Sequence, residues 1–140
     1  MKNFFLIVFA ILIVLQFIPS EIQNPQTPKE LEIKVPKEIM SIFKKSCYDC
    51  HSNQVTIPWY SSVAPVSFYV KGHIDLGREW LNFSTWEKYT QKEKDKKLEG
   101  IFRTVYAAMP LKSYILLHQE TQLTKEEIKL IRDWTGKAPF

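Results

Sequence analysis

The chain opens on Met1, Lys2 and Asn3 and is then apolar through residues 4–18, with Gln16 the single break. A helix apolar on every face belongs in a core or a membrane. No small-residue cleavage pattern lies between Gln16 and Ser20, so residues 1–20 read as an uncleaved N-terminal membrane anchor, with a cleaved export signal as the alternative. The run is short for a span, for which about 20 residues are usual. Either reading exports the rest of the chain, with Lys2 held inside and the domain facing the periplasm beyond the bacterial inner membrane. Residues 21–36 set Pro25, Pro28 and Pro36 among alternating charges, the composition of an extended tether.

Beyond Pro36, which suits a helix start, the pattern turns helical. Ile39, Met40, Ile42 and Phe43 share one face, opposite Lys37, Lys44 and Lys45. Residues 52–65 hold Pro58, Pro65 and several serines and read as a loop. Residues 66–80 are a helix candidate that Gly72 and Gly77 weaken. Ser84 with Glu87 three positions on resembles a capping box. Residues 88–97 form a charge-rich, solvated stretch. Leu98, Ile101, Phe102, Val105, Tyr106 and Met109 recur at helical spacing up to Pro110. The last helix has Thr124 and Glu127 as its box, Leu123 stapling to Ile128, a stripe of Ile128, Ile131 and Trp134, and Gly136 as its stop. No alternating strand pattern persists. The fold class expected is all-α, a small helical domain with long ordered loops over residues 37–140.

Composition narrows the function. The 140 residues carry 19 basic and 15 acidic side chains, a net charge of +4. That balance is too mild and too scattered for a nucleic-acid surface, so nucleic acid is not an expected partner.

The chemistry sits in Cys47-Tyr48-Asp49-Cys50-His51, which holds both cysteines of the chain. C-x-x-C-H is the attachment motif of c-type haem. Two intervening residues let each thiol reach one vinyl group of the porphyrin, and the adjacent histidine sits beneath the iron as its proximal ligand. A thioredoxin-like dithiol would use the same cysteines but needs a βαβ frame. A zinc site would need further ligands such as His73 or His118, at spacings that match no familiar finger. One covalently attached haem c is therefore the cofactor expected.

The ordered set of motifs is similar to a bacterial haem-binding domain family. It comprises the run Cys47 to Asn53, Pro58-Trp59-Tyr60, Ala64-Pro65-Val66-Ser67, His73, Gly77-Arg78, the stretch Leu81 to Trp86, Met109-Pro110, Tyr114, His118 and the closing helix. The resemblance covers roughly residues 36–135 by motif span. It implies a small, membrane-tethered, single-haem c-type protein of a kind common in the Bacteroidetes, with a cytochrome c-like domain.

The sixth iron position has four candidates. Met40 belongs to the stripe of its helix and is set aside. Met109, before Pro110 and ahead of a capped C-terminal helix, is similar in placement to the methionine of small class I cytochromes c and is the expected distal ligand. His73 is the alternative, and His118 is a further one. His51 should donate its Nδ1 proton to a carbonyl, placed in the loop of residues 56–65. Trp59 and Tyr60 suit the haem surroundings, and Arg78 and Lys112 suit propionate pairing. The function expected is single-electron transfer to an unidentified redox partner protein. The alternatives are an open-site haem enzyme or gas and redox sensor of peroxidase-like chemistry, and a thiol–disulfide oxidoreductase.

Overall fold

The computed structural model describes residues 1–138; Pro139 and Phe140, the end of the expected domain, lie outside it. Among the described residues there are α-helices and 3-10 turns and no strand, as the periodicity predicts. The α-helices are α1 (Lys2–Leu15), α2 (Lys37–Ser46), α3 (Tyr48–His51), α4 (Val66–Trp80), α5 (Gln91–Ala107), α6 (Lys112–Ile115) and α7 (Lys125–Thr135).

The N-terminal run departs from the expected span. α1 has 14 residues, about 21 Å of helix at 1.5 Å per residue, against a hydrocarbon thickness near 30 Å. No described helix is long and apolar enough to cross a membrane. Gln16 ends the helix, and none of its residues is buried against the domain.

The main core gathers where α2, α5 and α7 meet. Ile39, Ile42 and Phe43 of α2 pack with Ile101 and Val105 of α5 and Ile131 of α7. Phe83, from the 3-10 segment Phe83–Lys88, completes it: its ring stacks on Phe43 at 4.7 Å, and Trp134 meets Phe43 edge-on at 5.4 Å. α7 forms as read from the sequence, with both bonds of the Thr124–Glu127 box present and Gly136 at φ 64, the left-handed geometry glycine tolerates. α4 also spans the residues expected, its two glycines notwithstanding.

Two local readings change. Ser84 and Glu87 form no capping box. Asn82 caps that segment, and the Ser84 hydroxyl instead accepts from the Asn53 amide at 3.0 Å. The box lies at Thr90 and Glu93, which starts α5 inside the charge-rich stretch. α5 ends at Ala107, so Met109 lies past the helix, and Tyr106 within it is exposed and not part of the buried stripe.

Residues 21–36 are extended apart from one 3-10 turn at Lys29–Leu31, but they are strapped to the domain. Ile22 and Ile33 are buried, and the Ile33 amide donates to the Phe83 carbonyl at 2.9 Å. The Asn24 side chain brackets Val55, donating to its carbonyl and accepting from its amide, both at 2.9 Å.

Candidate functional site

α3 is one helical turn carrying Cys47 at its N-cap, then Cys50 and His51. It lies between two apolar clusters. Cys47 packs against the main core, whereas Cys50 packs against a smaller cluster of Ile22, Val55 and Ile74. Both thiols are free and neither is bonded to the other. Burial pushes the Cys47 thiol up to about 12 and the Cys50 thiol up to about 11. Both therefore stay protonated near neutral pH, the reverse of the low pKa of a reactive dithiol. The strand frame of a thioredoxin-like fold is also missing among the described residues.

His51 is fixed by the end of α4. Its Nδ1–H is shared between the carbonyls of Gly77 at 2.9 Å and Leu81 at 3.0 Å. The expected carbonyl partner is thus present, but it comes from α4 and its C-cap and not from the loop of residues 56–65. Burial pushes the imidazole below its ordinary value, outweighing the two carbonyl bonds that hold it up. The ring is neutral, with Nε2 left as the unprotonated nitrogen, which is the form that binds a metal.

Beside Cys50 opens an apolar cleft of about 110 Å³, walled by α4, the loop after α3 and the α6 segment. Tyr60, His73, Leu111, Tyr114 and Leu117 are among its lining residues, together with Asp49 and Cys50. His73 donates from Nδ1 to the Tyr69 carbonyl at 2.9 Å, which leaves Nε2 bare.

A polar frame closes one side of this cleft. The Tyr114 hydroxyl donates to Asp49 Oδ2 at 2.5 Å, and Asp49 Oδ1 accepts from the Thr56 amide at 2.9 Å. The Tyr60 hydroxyl meets His118 Nε2 at 2.7 Å, and the His118 ring stacks on Tyr114 at 4.5 Å. Of these residues, Asp49 drew no attention in the sequence, because it sits at a variable position of the C-x-x-C-H motif.

The remaining sequence candidates lie outside the cleft lining. Trp59 is 81% exposed, and Met109 is 37% exposed on the segment leading into the Leu111–Leu117 wall. Arg78 does not face the cleft. Its Nε donates to the Ser52 carbonyl at 2.8 Å, Nη1 to the Gln23 carbonyl at 2.7 Å and Nη2 to Asn24 Oδ1 at 3.2 Å, so it clamps the strap to the turn after His51. Lys112 caps no cleft contact either; it begins α6. His51 and Cys47 are not among the residues that line the cleft.

The donor set fits a covalently held haem: two unpaired thiols and one oriented neutral imidazole on a single turn, next to an apolar cleft. No group of three or more His, Cys, Asp or Glu poised for a bare metal ion occurs among the described residues. A comparison with known families matches a haem-binding domain over residues 10–137. No curated protein and no solved structure matches the chain at a significant level.

Proposed function

The chain belongs to the haem-binding domain family, and on that premise we propose that it carries one haem c on Cys47 and Cys50 and passes single electrons. The supporting observation is the Nδ1 bond pair from His51 to Gly77 and Leu81, which orients the imidazole and reserves Nε2 for iron. Bound there, the haem supplies reversible one-electron exchange. Each thiol adds across a vinyl group, sulfur to one carbon and hydrogen to the other, so attachment consumes no oxidant. The apolar lining excludes water, and Asp49 is kept occupied by Tyr114 and Thr56. Met109 is the distal ligand in this reading. It stands on the segment that becomes the cleft wall, and thioether ligation favours the reduced iron.

A second reading of the distal side rests on His73, which lines the cleft with its Nε2 free. The chain is exported, with the domain in the periplasm and α1 held in the bilayer. The partner is a redox protein, and the lysines of α5 are the surface that would steer an acidic one.

The test is the full chain produced in a host with haem-attachment machinery. Mass spectrometry should show one added haem, and the reduced spectrum should show a c-type band. A colourless chain with both thiols free or bridged overturns the proposal.

A further inference from the structure

Gln16, at the end of α1, makes a two-point bond to the domain. Its Nε2 donates to the Ala64 carbonyl and its Oε1 accepts from the Ala64 amide, both at 3.0 Å. Eight residues on, Asn24 brackets Val55 in the same way, and Arg78 pins Gln23 and Asn24. Ile22, between the two brackets, is buried. The chain leaving α1 is thus bonded to the domain at two points eight residues apart.

What meets at Gln16 is chemically uniform. Residues 3–20 contain no Lys, Arg, Asp or Glu, and neither do residues 52–70, although a quarter of the whole chain (24%) is charged. Around the junction the large apolar side chains point to solvent: Phe17 beside Gln16, and Trp59 and Val63 in the turn before Ala64. Trp59 and Val63 do not line the cleft, so a ligand within it would not cover them. The patch is continuous with α1, which is apolar on all sides.

From this junction we propose that Phe17, Trp59 and Val63 seat in the headgroup boundary of the bilayer that holds α1. The domain then rests on the membrane with this rim down and does not hang from a tether. The occupant is lipid with uncharged or zwitterionic headgroups, because the rim offers no charge and one tryptophan of the kind enriched at interfaces. The inference rests on the reading that α1 is held in the bilayer, and the test separates the two.

The full-length chain is reconstituted in phosphatidylcholine vesicles with a nitroxide at Val63→Cys, at Val8→Cys on α1, or at Lys96→Cys on α5. The unsubstituted chain is labelled in parallel as background. Collision with oxygen is compared with collision with a water-soluble nickel chelate. The proposal expects the Val63 label to favour oxygen several-fold over the Lys96 label, with the Val8 label more oxygen-accessible still. A Val63 label that behaves like Lys96 while Val8 reports lipid overturns the seating and leaves the membrane reading intact. Three labels that all report water overturn both. Spin–spin broadening at Val63 that survives in detergent would assign the rim to a second copy and also overturns the proposal.

Discussion

Gly77 stands against Cys50 so closely that a Cβ added at Gly77 would lie 2.6 Å from the Cys50 carbonyl oxygen. Its own carbonyl also accepts the His51 Nδ1 proton. One glycine therefore sets both the approach of α4 to α3 and the orientation of the imidazole. Gly77→Ala should push the helices apart and cost about 1–3 kcal/mol, as overpacking of a tight contact does. A denaturant titration reads the stability. A weakened c-type spectrum at equal haem loading would show that His51 moved with α4.

The two distal candidates predict opposite spectra. With Met109 as ligand, Met109→Ala loses the low-spin sulfur-to-iron absorption band and lowers the potential, while His73→Ala keeps both. If His73 is the ligand, the pattern reverses. If neither variant changes the spin state, the open-site reading gains. Oxidised-state absorption and potentiometry on the purified holoprotein decide among the three.

Tyr114 ties α6 to α3 through Asp49. A hydrogen bond to a charged acceptor contributes about 1.5–3 kcal/mol when well formed, and partial exposure places this one toward the lower end. Tyr114→Phe should lower stability by about 1.5 kcal/mol and speed amide exchange across residues 111–118, with α5 and α7 unaffected. Uniform exchange across the chain would contradict the localisation.

Glu127 couples pH to the closing helix. Burial pushes its carboxyl up, but the Lys45 ammonium at 2.5 Å and the Thr124 amide at 2.9 Å outweigh that and hold it below the usual range. A depressed carboxyl contributes stability that is present above its unfolded value, near 4.3, and is lost as pH falls through the lower folded value. Glu127→Gln should remove about 1 kcal/mol at pH 7 and flatten the acid side of the stability profile. Unfolding midpoints between pH 2 and pH 7 check both effects.

Arg78 makes three bonds that no lysine reproduces. Arg78→Lys should loosen residues 21–36, so that cleavage at Lys29 or Lys34 quickens and the Val55 amide exchanges faster while the main core stays protected. Equal cleavage rates would mean that Asn24 and Ile22 hold the strap without Arg78.

The sequence made α4, α7 and the Cys47–His51 turn legible because each carries its signal locally. Apolar spacing, a box of two residues three apart and a pentapeptide need no distant partner. The cleft wall has no such signal. Tyr114 meets Asp49 and His118 meets Tyr60 across 65 and 58 positions, and nothing near either residue names the other. The strap is half legible: Ile22 is an isolated apolar residue, Ile33 alternates with Leu31 and Val35 in a polar, proline-marked stretch, and both isoleucines are buried. The cap was misplaced because Ser84 had a stronger use, bonding the Asn53 amide just past His51.

The two sulfurs belong to different packing units, Cys47 to the helical core and Cys50 to the small cluster under the cleft. The helical unit is held by its aromatic stack, whereas the cleft wall is tied by the hydroxyls of Tyr60, Tyr69 and Tyr114. A rigid macrocycle bonded to both sulfurs would rivet one unit to the other.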